Sequence, residues 1–97
     1  MLHIINKSPF SHSALSDCLR VCTAEAAILL IEDGVYAALR DGEWAKQLML
    51  AGAAVFVLAP DITARGLDQR IENHFARIDY AGFVELCCSN NPTQSWY

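Results

Sequence analysis

Two uninterrupted apolar runs, AAILLI at 26–31 and AAVFVLA at 53–59, limit the folds open to this chain more than any other feature. Neither run alternates polar and apolar residues, so both faces of each strand are expected to be buried, as in a parallel sheet with helices on both sides. Both runs are far shorter than the ~20 residues that cross a bilayer. They therefore predict central strands of an α/β fold rather than membrane spans.

The remaining segments alternate between strand and helix patterns, as a parallel α/β sheet requires. Further strands are predicted at 2–6, 76–79 and 93–97. The last of these is expected to be an edge strand or a docking tail. Helices are predicted at 13–22, 42–51 and 80–89, and the second buried run is expected to end in a loop at Pro60 and Asp61. Ser11 or Ser13 is the expected cap of the first helix and Asp41 that of the second. The fold predicted is one domain over 1–97, a three-layer α/β/α sandwich with a parallel sheet of about four to five strands.

The last predicted helix, YAGFVELCCS, carries apolar residues at i, i+3, i+4 and i+7. This spacing predicts an inner face that packs on the sheet. Its members are Tyr80, Phe83, Val84 and Cys87. The helix is expected to end at Asn90, Asn91 and Pro92, because these residue types interrupt helices.

Composition and charge narrow the function classes. The chain is 54% hydrophobic and 19% charged, against about 45–50% and about 25% in an average domain, so we expect an oligomer in which a partner covers apolar surface. The net charge is −4 and Lys and Arg are not clustered, which argues against direct nucleic-acid binding. The first residues lack a secretory pattern, so we expect a cytoplasmic protein with reduced thiols.

Cys18 and Cys22 lie one helical turn apart, a spacing open to a metal pair, a disulfide, a sulfur carrier or simple packing. No second pair with metal-ligand spacing is present, and Cys87 and Cys88 are merely adjacent, so no metal or cofactor site is predicted. Cys18, Cys22 and Cys87 fall on apolar stripes, which favours core packing, whereas Cys88 lies at the margin of its stripe.

The loops at the carboxyl ends of parallel strands are where such folds usually place ligands and nucleophiles. In this chain those loops are 6–9, 32–34 and 60–61, and none contains a cysteine. No Gly-rich phosphate loop and no Ser, His and Asp arrangement is visible either. The chain is therefore a poor candidate for a self-sufficient enzyme.

Five segments in order, LHIINKSPF, LLIEDGVYAAL, VLAPDITARGL, IDYAGFVEL and TQSWY, resemble the TusB/DsrH family. The family provides the small subunit of the TusBCD and DsrEFH sulfur-transfer complexes. The resemblance implies a DsrE/F/H-like fold and a heterohexamer, a dimer of heterotrimers, with TusC/DsrF-like and TusD/DsrE-like subunits. It implies a relay of persulfide sulfur, either for 2-thiolation of the wobble uridine of tRNA or for dissimilatory sulfur oxidation.

The resemblance also bears on single cysteines. The main sulfur-accepting cysteine of such complexes belongs to the TusD/DsrE subunit, so this chain is expected to be a non-catalytic or accessory subunit. Cys18, in LSDCLR, matches the first-helix cysteine of DsrH-type members and is the sulfur-carrier candidate. Cys22, Cys87 and Cys88 match no functional motif. The alternative is a homo-oligomeric α/β domain with a structural role and no sulfur chemistry.

Overall fold

The computed structural model describes residues 1–90 and 92–97 and contains a five-stranded, all-parallel sheet. Across the sheet the strand order is β4, β3, β2, β1, β5. The strands are β1 (Leu2–Ile5), β2 (Ala27–Leu30), β3 (Ala54–Leu58), β4 (Ala76–Ile78) and β5 (Thr93–Trp96). Every residue of β1 and β2 is buried, as expected for central strands of a parallel sheet, and His3 is the one polar residue among them. The predicted fold class and the edge strand at 93–97 are confirmed.

Helices cover both faces of the sheet. In chain order they are α1 (Ala14–Val21), a 3-10 helix (Glu32–Ala38), α2 (Glu43–Ala51), α3 (Ala59–Ala64) and α4 (Tyr80–Ser89). One face packs against α1, the 3-10 helix and α2, and this larger core cluster includes Ile28, Leu30, Val57, Leu15 and Leu48. The other face forms a smaller cluster under α4, consisting of Leu2, Ile4, Ala27 and Leu29. The larger share of the core is therefore on one side of the sheet.

Two predicted boundaries differ from the structure, and one predicted cap residue is in place but bonds differently. Asp41 does not cap α2, because its backbone is left-handed (φ 63°) and Gly42 occupies the N-cap position. Pro60 does not end β3 in a loop: α3 begins at Ala59, and proline is tolerated in a first turn, where its missing N–H has no partner to lose. Ser13 does occupy the N-cap of α1, but its hydroxyl donates to Asp17 instead of accepting a backbone N–H.

The end of α4 agrees with the predicted break in the part that is described. The helix ends at Ser89 and Asn90 is its C-cap, with the Asn90 amide donating to the Leu86 carbonyl at 2.9 Å. Asn91 lies outside the described residues. Pro92 precedes β5, and its carbonyl accepts the Leu2 N–H at 3.1 Å, which joins the end of the chain to β1.

Candidate functional site

Cys18 lies on the inner face of α1 and is fully buried in the larger core cluster. It faces the sheet because Leu15, one turn earlier, lies on the same side of the helix. Burial, with a smaller contribution from the nearby Cys22 thiol, raises the pKa of Cys18 to about 12. At neutral pH the group is therefore a protonated thiol, which is a weak nucleophile. In the free chain Cys18 is a core residue, as its helical spacing predicted.

The other three cysteines are more accessible. Cys22 is the C-cap of α1 and is half-buried, and its thiol donates to the Thr23 carbonyl at 3.5 Å. Burial raises the pKa of Cys22, although the Cys18 thiol and the N-terminal ammonium act in the opposite direction. Cys87 and Cys88 belong to α4: Cys87 is half-buried against the smaller cluster and Cys88 is exposed. Full core packing therefore holds for Cys18, while Cys22 and Cys87 are only partly buried.

A polar network joins the helical segments that follow β2 and β3, at the carboxyl ends of those strands. The Glu32 N–H donates to the Asp61 carboxylate at 2.6 Å, and the Arg65 guanidinium donates to Asp33 at 3.0 Å. Glu32 has a left-handed backbone (φ 48°), a conformation that costs a non-glycine residue about 1 kcal/mol or more. The bond to Asp61 stabilises that conformation and links the segments that follow β2 and β3. Neither of these segments carries a thiol.

The helix α4 is apolar on nearly every side. Its inner residues Phe83, Leu86 and Cys87 pack on the smaller cluster, yet no residue of the helix is fully buried. Its outer side carries Tyr80, Val84 and Cys88, spaced four residues apart, and we call these three residues the α4 surface. Tyr80 and Val84 are 61% and 62% exposed. A helix that is apolar all round is normally buried, so the α4 surface has the character of a protein interface.

A groove of about 590 Å³ lies beside the first residues of β1 and runs along β5. It is lined by His3 and Trp96, together with Met1 and Glu25. His3 is 4% exposed, and its Nδ1 accepts the indole N–H of Trp96 at 3.1 Å, so this imidazole is neutral. Burial and the N-terminal ammonium lower the pKa of His3. The pair fastens the edge strand β5 to its neighbour.

Residues 1–90 and 92–97 contain neither a metal-ligand cluster nor a membrane-spanning helix. No group of three or more His, Cys, Asp or Glu side chains is placed to hold a metal ion there. Within the same residues, no helix has the length and apolar character needed to cross a membrane.

Comparison with known proteins places the chain in a family. A family model described as DsrH like protein matches residues 7–93. The chain belongs to the DsrH family. This DsrH-family chain is 41% identical to Protein TusB of Yersinia pestis and to that of Yersinia pseudotuberculosis, in each case over 96 residues that cover 99% of this chain and 100% of the relative.

Solved structures share the fold of this DsrH-family chain. The crystal structure of the YchN protein from E. coli superposes with a TM-score of 0.79 over 97% of each chain, at 15% identity, which shows the fold alone. The solution NMR structure of protein Tm0979 from Thermotoga maritima gives a TM-score of 0.67 at 26% identity, over 95% of this chain and 97% of that one.

The predicted inner face of α4 is wrong for two of its four residues. Tyr80 and Val84 point outward, and Leu86 packs inward instead. In a DsrH-family chain whose last helix has only one charged residue, Glu85, spacing alone cannot select the inner face. The near absence of polar residues along α4 is the informative pattern, because it predicts that both sides of this helix are covered.

We expect the stability of this DsrH-family chain to decrease as the pH falls below the ordinary histidine value of 6.5. Because the pKa of His3 is lowered in the folded state, the unfolded chain binds the proton first, and unfolding is favoured by at most about 1.4 kcal/mol per pH unit. Protonation also turns Nδ1 into a donor that cannot accept from Trp96. Urea unfolding between pH 5 and 8 (~3 units around the imidazole range) measures this dependence.

A matched pair of variants isolates the His3 contribution. His3→Asn retains an acceptor for the indole but has no imidazole to titrate, so its stability should change less with pH than that of the unmodified chain. His12→Asn makes the same chemical change at an exposed histidine and is the matched control. Equal pH dependence in the His3→Asn variant and the unmodified chain would show that folding does not lower the pKa of His3.

Proposed function

We propose that this chain is a subunit of a cytoplasmic sulfur-relay complex that passes persulfide sulfur between proteins. The observation that carries the proposal is the 41% identity to Protein TusB over essentially the whole of both chains. The relay serves 2-thiolation of the wobble uridine of tRNA, as in the TusB branch, or dissimilatory sulfur oxidation, as in the DsrH branch. Its partners are a TusC/DsrF-like and a TusD/DsrE-like subunit, in a heterohexamer built as a dimer of heterotrimers.

Within this complex the chain acts as an accessory subunit. A persulfide-forming cysteine must be accessible and must reach its thiolate form, because the thiolate attacks the donor sulfur. The segments joined by the bond between Glu32 and Asp61 have no thiol. Cys18, the one cysteine that the family resemblance identifies, is buried and has a raised pKa. These features support a role in assembling the relay and leave the principal sulfur acceptor to a partner.

The α4 surface is proposed as the contact surface for the related subunits. It exposes Tyr80 and Val84 on a helix that has a single charged residue, Glu85. A partner that covers this surface removes apolar area from water, which favours association by roughly 25 cal/mol per Å² of that area. This proposed interface explains the apolar composition of the chain.

Gene deletion tests the proposed function. In a deletion strain we expect the 2-thiouridine content of tRNA to fall in the TusB branch, as measured by mass spectrometry of digested tRNA, and sulfur oxidation to fail in the DsrH branch. Restoration by the plasmid-borne chain is the control. If neither process changes, the sulfur-relay proposal is wrong and the homo-oligomeric structural role takes its place.

Cys18 is proposed as a secondary sulfur carrier, and its burial sets a condition on that role. Sulfur reaches Cys18 only if α1 moves away from the sheet in the complex, because the side chain has no exposed surface in the free chain. We expect the isolated chain to gain no sulfur at Cys18 when incubated with a persulfide donor, and the assembled complex to gain it. Peptide mass spectrometry reads the added sulfur, and Cys18→Ser is the control.

The decisive outcome for Cys18 concerns the assembled complex. An unmodified Cys18 beside a partner subunit that is fully loaded with sulfur would remove Cys18 from the relay. Cys18→Ser is the appropriate control because serine differs from cysteine by one atom. The buried hydroxyl still needs a hydrogen-bond partner, so the variant is first checked for retained fold by circular dichroism.

A further inference from the structure

The two edges of the sheet are protected to different degrees. β4 has only three residues, and among them Arg77 carries a charge and donates to the Asp68 carbonyl at 2.9 Å. β5 has four residues, none charged, and Thr93, Gln94 and Ser95 are all exposed. Proteins normally block an exposed strand edge with charges, prolines or bulges, because its free N–H and C=O groups recruit another strand. Within β5 no such block is present.

The register of β5 shows which of its backbone groups are free. The Leu2 N–H donates to the Pro92 carbonyl, and Leu2 is paired with Thr93 in a parallel ladder. In such a ladder alternate residues direct both backbone groups to the same neighbour, so Gln94 and Trp96 face β1. Thr93 and Ser95 then direct their N–H and C=O groups away from the sheet.

We propose that this outer edge of β5 pairs, antiparallel, with β5 of a second copy of the chain. With Gln94 on the two-fold axis, Thr93 of each copy lies opposite Ser95 of the other. Each of these opposed pairs exchanges two N–H···O=C bonds, so every free backbone group of the two residues finds a partner. The sheets of the two copies become one continuous sheet.

The second copy is favoured as the occupant because β5 is complementary to itself. A two-fold contact places the same strand on both sides, which brings like charges together wherever the strand carries one. β5 carries none, whereas pairing through β4 would bring two Arg77 side chains to the contact. His3 and Trp96 hold β5 on its own sheet through their 3.1 Å hydrogen bond, which keeps the outer edge in place for pairing.

Pairing through one short strand buries less than the ~1,000 Å² of a stable interface, so the contact between the two copies is weak on its own. Covalent trapping is therefore the most sensitive test. In the proposed register residue 94 forms a non-hydrogen-bonded pair with itself, at a Cα separation of about 4.5 Å that a disulfide spans. We expect Gln94→Cys in a Cys88→Ser background to form a covalent dimer under mild oxidation, and the yield to be several-fold above that of Thr93→Cys. Two residues at 93 lie diagonally, about 7–8 Å apart, beyond easy disulfide reach.

A second variant tests the backbone bonds. Ser95→Pro removes an outward N–H and leaves the ladder to β1 intact, so it should lower the Gln94→Cys dimer yield at least several-fold, whereas Ser95→Val should not. Equal dimer yields from Gln94→Cys and Thr93→Cys, or no dimer from Gln94→Cys, would overturn the proposal. The inference is independent of the proposed function, because trapping is read on this chain whether or not related subunits or sulfur transfer are found.

Discussion

Replacing Gly34 by alanine is expected to destabilise the chain by at least about 3 kcal/mol, since the added Cβ would overlap the Ile5 carbonyl oxygen. That oxygen already accepts the Ile31 N–H at 3.0 Å, at the point where β1 ends beside β2. The clash is with backbone, which cannot turn aside as a flexible side chain can. The 3-10 helix must therefore move away from the sheet.

Thermal unfolding measures the effect of this substitution. For a chain of this size about 3 kcal/mol corresponds to a fall in Tm of about 12 °C or more. Gly66→Ala is the matched control, because Gly66 has a left-handed backbone (φ 67°) but open space around its Cβ position. It should cost about 1–2 kcal/mol, the penalty for that backbone conformation alone. A loss from Gly34→Ala no larger than that from Gly66→Ala would contradict the close approach of the 3-10 helix to β1.

Replacing Val84 by aspartate is expected to weaken assembly with the related subunits by about 100-fold or more. Val84 lies in the middle of the α4 surface and is 62% exposed in the free chain. An unpaired carboxylate buried in an apolar contact costs about 3 kcal/mol or more, and every 1.4 kcal/mol is about tenfold in affinity. Unfolding of the isolated variant should change by only about 0.5 kcal/mol, because the site is on the surface.

Leu50→Asp provides the comparison for Val84→Asp. Leu50 is an exposed apolar residue of α2, on the opposite face of the sheet, and the chemical change is alike. Affinity measured by titration calorimetry or by retention on a tagged partner should fall for Val84→Asp and stay near the unmodified value for Leu50→Asp. Equal losses from the two variants, or no loss from Val84→Asp, would show that the α4 surface is not the contact.

The sheet could be predicted from the sequence because its signal is local. The runs that became β2 and β3 are short and apolar without alternation, a pattern typical of strands covered on both faces of a sheet. Cys18 could be assigned to the core for the same kind of reason, since Leu15 and Cys18 share a helical face. In each case the neighbours in sequence decide the environment.

The outward side of α4 could not be predicted, because its environment is decided by residues far away in sequence. Tyr80 and Val84 are as apolar as Phe83, so periodicity offered no ground for choosing between them. The choice depends on where α4 crosses the sheet after β4, at the far edge from β5. Tertiary packing, and not the pattern within the helix, sets that position.

The polar contacts of the candidate site could not be predicted from the sequence either. The bond from Glu32 to Asp61 requires that β2 and β3 be neighbours, and the bond from Trp96 to His3 requires that β5 lie beside β1. The latter pair is separated by 93 positions. A histidine buried inside an apolar strand needs a hydrogen-bond partner, but only the strand order identifies that partner.

Co-expression with the two proposed partner subunits tests the central claim, that this chain is a subunit of a sulfur-relay complex, most directly. The tagged chain is purified and analysed by size-exclusion chromatography and native mass spectrometry. The account predicts that the chain aggregates or self-associates when expressed alone and elutes with both subunits, in equal numbers, when they are present. A stable, monodisperse monomer that elutes apart from both subunits would contradict it.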